Sequence, residues 1–216
     1  MMNTIVKTAL AATMLFGGVL GHAGAAGSES PATDKPAATA KPAATAQPTA
    51  APVMRDNLFK FGLKKEVELP VTVTSGGFSY TLEKLMFYDV KSKEAQALMK
   101  KYGYSDQIYK APTKYMVWTK ITIKNSSSKV IQQGAVSLSP KWFLTIDDVN
   151  LRTPTPKNLM HVKNSKEALY DWILKPGETF TTYQMYGYTK TPSYICIFTD
   201  AGGNFDEKFI VKRPGE

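Results

Sequence analysis

Along Tyr115-Met-Val-Trp-Thr-Lys-Ile-Thr-Ile123 the apolar side chains Tyr115, Val117, Ile121 and Ile123 fall on odd positions, while Lys120, Thr122 and the following Lys124 fall on even ones. A repeat of two is the spacing at which successive side chains of an extended chain point to opposite faces, so this segment reads as a strand with one face on a core. The same alternation dominates from Glu66 onward. It predicts further strands over 67–74, 78–90, 142–146, 170–174, 178–188, 194–199 and 205–212, about eight in all.

The breaks between these segments carry turn chemistry: Ser75-Gly-Gly77, Asn125-Ser-Ser-Ser128, Lys175-Pro-Gly-Glu178 and Ala201-Gly-Gly-Asn204. Pro176 pre-sets the first corner of a type II turn and Gly177 tolerates the positive φ of the second, which predicts a hairpin from Trp172 to Tyr183. At Glu83-Lys84 the alternation of Phe78, Tyr80 and Leu82 gives way to Leu85-Met-Phe-Tyr88, which predicts a bulge or a sheet switch. Tyr194-Ile-Cys-Ile-Phe198 is apolar on both faces and fits a central strand. One segment, 93–102, has helical character, with Ser92 as N-cap and Gly103 as stop. Many short antiparallel strands with a single helical insertion point to an all-β, immunoglobulin-like antiparallel sandwich, with a closed barrel as the alternative.

The chain before this domain is different material. Every Trp and Tyr, and every Phe except Phe16, lies after residue 57. Lys7, the apolar run of residues 8–20 and Ala23-Gly24-Ala25 form the charged, apolar and small-x-small parts of a secretory signal over residues 1–25, cleaved after Ala25. The run is short for a membrane span. Residues 26–53 contain Lys35-Pro-Ala-Ala-Thr-Ala and its repeat from Lys41, a composition too poor in apolar area to offset chain entropy, and read as a disordered linker. Residues 54–216 are then one domain, large enough for a core without staples. No stable membrane span remains after cleavage, and the expected location is secreted or cell-envelope.

Several residues together support a resemblance. The strand Tyr115–Asn125 ends in Lys-Asn; a Trp-Phe-Leu-Thr-Ile-Asp-Asp strand follows, then Leu174-Lys-Pro-Gly-Glu-Thr-Phe180 and a late Tyr-Ile-Cys-Ile-Phe strand. This order resembles the secreted immunoglobulin-like bacterial domains of unknown function, whose fold is similar to that of the mycobacterial immunoprotective extracellular antigen. The resemblance covers about residues 66–211, leaves 91–113 as an insertion, and implies an extracytoplasmic sandwich with no catalytic residues to carry over.

The residue inventory disfavours most catalysis. After signal removal His161 is the one histidine, and with Cys196 the one cysteine no cage of three or four His/Cys ligands can form. No Gly-x-Ser-x-Gly or phosphate-binding Gly loop is present, and Cys196 lies mid-strand, where a thiol behaves as a small hydrophobe. Asp147, Asp148 and Asn150 offer oxygen ligands but read better as a turn than as a calcium site. No cofactor or metal is expected. Asn125-Ser-Ser127 matches a glycosylation acceptor formally and reads as a turn.

Charge is more informative. Residues 54–216 hold 24 Lys and Arg against 16 Asp and Glu. Much of the excess maps to residues 84–129, where Lys93, Lys100, Lys101 and Lys110 are interleaved with Tyr102, Tyr104 and Tyr109. Such a protrusion suits an anionic wall polymer, an acidic lipid surface or an acidic partner, with a solvated loop whose lysines aid solubility as the competing role, and nucleic acid is a poor partner for an exported chain. Tyr186 and Tyr188, on one strand face, form a second candidate ligand platform, with Tyr183 on the other face; packing in a core is the competing role. The reading is an exported, non-enzymatic binding or adhesion module. Its alternatives are a secreted hydrolase with a carboxylate pair and a structural spacer.

Overall fold

The computed structural model describes residues 53–104, 112–134, 141–200 and 204–215. The chain divides into Met1–Thr49 and Ala50–Glu216, and all described residues belong to the second unit. Ten strands and one α-helix occur among them: β1 Val71–Ser75, β2 Phe78–Asp89, α1 Lys93–Tyr102, β3 Tyr115–Asn125, β4 Ile131–Gln133, β5 Trp142–Ile146, β6 Val149–Asn150, β7 Trp172–Leu174, β8 Thr179–Tyr188, β9 Ile195–Thr199 and β10 Asp206–Val211. The fold is an all-β antiparallel sandwich. One sheet has the order β1-β2-β3-β8, the other β10-β9-β5-β6, and β4 pairs with β7 in a separate ribbon.

The core lies between the sheets because each presents its alternate apolar positions inward. Phe78, Tyr80 and Leu82 of β2 and Ile121 and Ile123 of β3 meet Leu144 and Ile146 of β5 and Ile195 and Ile197 of β9. Aromatic rings join these layers. Trp142 of β5 stacks on Phe78 and Tyr80 of the opposite sheet at centroid distances of 5.7 and 5.4 Å, and Trp172 of the ribbon lies 5.5 Å from Trp142.

Local expectations hold in several places. Gly76 and Gly77 both have positive φ, and Ser75 pairs with Phe78, so β1 and β2 form a hairpin with a two-residue turn. Pairing to β3 shifts register between Leu82 and Lys84, placing a bulge at Glu83. β9 is central in its sheet, between β10 and β5. In α1, Ser92 Oγ accepts from the Ala95 N–H at 3.2 Å, and Gly103 terminates the helix in the left-handed conformation. The turn at 201–203 lies outside the described residues, but β9 and β10 are antiparallel neighbours as expected.

The hairpin expected at Pro176-Gly177 is corrected. The turn is there, with Gly177 at φ 80° and Glu178 N–H donating to Lys175 O at 3.1 Å. The strands it connects do not pair: β7 pairs with β4, and β8 crosses to pair with β3. Asn125 captures the turning chain instead. Gly177 N–H donates to Asn125 O at 2.7 Å, and Asn125 N–H donates to Glu178 O at 2.9 Å. Strand β1 also starts at Val71, four residues later than the alternation suggested, after the cis Leu69–Pro70 bond.

The Asn125 side chain is fully buried and fully used. Its Nδ2 donates to Lys129 O and Leu174 O, and its Oδ1 accepts from the Ser127 N–H and hydroxyl. An amide so enclosed has no room for a glycan. Asn125→Ala is expected to cost about 2–3 kcal/mol, since it leaves the buried Leu174 carbonyl and the Ser127 N–H without their partner and opens a cavity where the amide was. Urea unfolding measures this as a lower midpoint at constant slope; an unchanged midpoint would contradict the role.

Candidate functional site

Four of the sandwich's segments converge on a cleft of about 510 Å³. Trp142 and Phe143 of β5 lie beside Trp172 of the ribbon, and Gln184 and Tyr186 come from β8. Asn150 ends β6, Arg152 and Thr153 enter from the chain that leaves it, and Tyr170 from the approach to β7. The volume is that of a pocket for a small molecule or a few polymer units.

Gln184 is the unusual member. It occupies the core-facing row of β8 with Thr182, Tyr186 and Tyr188, and is only 7% exposed. Trp142 Nε1–H donates to its Oε1 at 3.0 Å, and the Tyr186 hydroxyl donates to the same oxygen at 2.8 Å. Both lone pairs of that oxygen are thereby taken, which fixes the orientation of the amide. Gln184 Nε2 makes no hydrogen bond within the described residues and is left to the cleft. Burial raises the Tyr186 pKa, so its hydroxyl stays protonated as a donor at every ordinary pH.

The remaining polar lining is also neutral or cationic. Asn150 and Gln133 supply amides and the exposed Arg152 a guanidinium, and no Asp or Glu is among the described lining residues. Asp171 borders the cleft, its Oδ1 lying 3.6 Å from where a Cβ on Gly134 would sit.

The residues singled out from the sequence are distributed differently. Lys93 and Lys100 are exposed on α1, and Lys101 pairs with Glu167 at 2.9 Å while lying 4.8 Å from the centre of the Tyr102 ring. Tyr109 and Lys110 lie outside the described residues. Tyr102 and Tyr104 do not form an exposed protrusion, and that expectation is corrected: both are buried, and Tyr102 stacks on Trp118 at 5.5 Å. The reason is that α1 puts Ala95, Met99 and Tyr102 on one face, at spacings of four and three, and packs it on the outer side of β3. The expected platform of Tyr186 and Tyr188 is corrected likewise, because the two rings are 2% and 3% exposed and belong to the main core; Tyr186 nevertheless lines the cleft, whereas Tyr188 does not. Tyr183 points to the other face, as expected, and stacks on Trp118.

Asp147 and Asp148, with φ of 48° and 65°, make the turn between β5 and β6. Asp147 Oδ1 accepts from the Ser193 N–H and hydroxyl and the Tyr194 N–H, and its Oδ2 accepts from the Tyr188 hydroxyl. Among the described residues no three His, Cys, Asp or Glu side chains group to hold a metal. Cys196 is buried in β9, where desolvation, aided by Glu207, pushes its thiol up to about 12 and keeps it inert. His161 is an exposed loop residue.

What the sequence reading missed is the cleft, with Arg152, Gln184 and Trp142. One signal was available: a glutamine in the inward row of an otherwise core-forming strand needs buried donors or acceptors.

No protein-family model matches the chain, and no curated protein matches it. Among solved structures it is similar to the yjhA protein of Bacillus subtilis, at 13% identity over 60% of this chain and 77% of that one, with a TM-score of 0.35. A functionally unknown protein of Listeria monocytogenes matches at 14% identity over 66% of this chain and 81% of its own, with a TM-score of 0.41. A conserved hypothetical protein of Bacillus anthracis matches at 14% identity over 66% and 93%, with a TM-score of 0.38.

Asp147 generates a pH dependence. Desolvation opposes ionisation of its carboxyl, but the hydrogen bonds from Ser193, Tyr188 and Tyr194 outweigh it and hold the pKa below the ordinary carboxylate value. A folded pKa lower than the unfolded one gives stability that is complete above the unfolded value and is lost as pH falls through the folded one. Asp147→Asn is therefore expected to be less stable than the parent at neutral pH and to converge with it in acid. Thermal melts across that range check this; parallel pH profiles would refute it.

Proposed function

We propose that this chain is an exported binding module that seats its ligand in the cleft between β5, β8 and the ribbon. The observation that carries the reading is the cleft: a preformed concavity lined by aromatic rings and amides, with a guanidinium at its rim and a fixed amide donor inside. Pockets with a few oriented polar groups on an apolar floor are where proteins hold small ligands and polymer ends. A hydrolase with two convergent carboxylates would need acids that the described lining lacks. The secretory signal and linker read from residues 1–53 support work outside the cytoplasm, as the resemblance to secreted immunoglobulin-like domains also implies. Among the described residues no helix is long and apolar enough to cross a membrane. The excess of Lys and Arg favours an anionic envelope polymer and speeds encounter with it.

The basic face of α1 retains a lesser role in this reading, because Lys101 is engaged and Tyr102 and Tyr104 are buried. Retention of the full chain on a protease-treated envelope polymer fraction tests the assignment. Changing Arg152 and Tyr170 to Ala is expected to reduce retention at least tenfold, whereas Lys93→Glu with Lys100→Glu weakens it only at low salt. Loss in the lysine variant with full retention by the cleft variant would move the site to α1.

A further inference from the structure

Resting on the cleft as the ligand seat, we infer that it recognises a singly charged carboxylate, gripped by Arg152 and by Gln184 Nε2. Two observations select that chemistry. The first is the orientation of the buried amide. With Oε1 saturated by Trp142 and Tyr186, Gln184 can offer the cleft only its NH₂ hydrogens, so its ligand atom must be a hydrogen-bond acceptor. That donor pairs with no protein group among the described residues, so it is presented to whatever fills the cleft, water or the acceptor of a ligand.

The second is the charge at the cleft. Arg152 alone among the described lining residues carries a formal charge, and it is positive, while the Asp171 carboxylate bordering Gly134 disfavours any second negative charge on the ligand. A guanidinium fork matches the two oxygens of a planar carboxylate, and one cation balances one anion. A phosphate, carrying close to two negative charges, would leave charge uncompensated over a floor made of Trp142, Trp172 and Tyr186. Phe143 and Tyr170, both half-buried at the cleft, give the body of the ligand an apolar flank. The volume of about 510 Å³ admits a sugar acid or the last residues of a peptide. Both sources present the same carboxylate.

The test follows the Trp fluorescence and the Trp142 indole resonance of the full chain during titration. Glucuronate is compared with glucose, N-acetyl-alanyl-alanine with its C-terminal amide, and inorganic phosphate is the control anion. Each carboxylate that binds is expected to do so at least tenfold more tightly than its neutral counterpart. Binding of glucuronate alone assigns the carboxylate to a sugar acid, and binding of the peptide alone assigns it to a chain end. Gln184→Glu keeps an acceptor for Trp142 and Tyr186 but turns an oxygen to the cleft, and should abolish carboxylate binding. Because that variant alters a buried site, Arg152→Gln at the exposed rim is measured beside it and should lose at least tenfold.

Equal affinity for glucose and glucuronate, tighter binding of phosphate, or indifference to Arg152→Gln would each overturn the inference. If no probe binds while cleft variants still lose retention on the envelope polymer, the carboxylate assignment falls and the binding module stands. If the parent chain itself shows no retention and no probe binds, both fall.

Discussion

The structure depends on the environment of one indole. Trp142 reaches from β5 across the sandwich, lies against Phe78 and Tyr80 of the opposite sheet, and touches Trp172 of the ribbon. Each such contact contributes about 0.5–1.5 kcal/mol beyond area burial, and together they set how the three β layers meet. A buried indole also brings an N–H that must be satisfied. Gln184 satisfies it, which explains a polar residue among the inward side chains of β8 and, in turn, the donor that the cleft presents. Core packing and candidate chemistry therefore share one hydrogen bond.

Around this core, three asparagines do for the loops what ladders do for the strands. Asn57 both donates to and accepts from the Phe87 backbone, pinning the entering chain to β2. Asn164 does the same with Ile173 of β7, at 2.9 Å in each direction. Asn125 gathers the turn before β4 and the crossover into β8. A side-chain amide carries the same donor and acceptor as a peptide unit, so it can pair with a strand where no second strand runs. This is how short segments such as β4 and β7 are held against larger sheets.

Much of the fold was legible because local rules acted alone. The bounds of α1 follow from a serine cap, a terminal glycine and an apolar face, and the bulge at Glu83 follows from a broken alternation. The Pro176-Gly177 turn was also legible, but not its partners: the turn fixes a change of direction, whereas pairing was decided by Asn125, about fifty residues earlier. The tyrosines were misplaced for a related reason. Sequence shows that Tyr102 lies near lysines; it does not show that Trp118, on a distant strand, waits under the helix to bury it. The cleft was illegible because its walls come from segments scattered between Gln133 and Tyr186, and no spacing links them. Gln184, polar in an inward row, marked it, and of the tyrosines singled out Tyr186 lines it.

The central claim is that Trp142 and Tyr186 lock the Gln184 amide with its nitrogen toward the cleft. Hydrogen exchange at the Trp142 indole nitrogen, read by nitrogen-edited NMR in the parent chain and in Gln184→Leu, tests this most directly. The account predicts slow exchange in the parent and at least a tenfold acceleration in the variant, while the Trp118 indole, packed under α1 in the separate cluster on the outer side of β3, is unchanged. Fast exchange at Trp142 in the parent, or equal rates in both proteins, would contradict it.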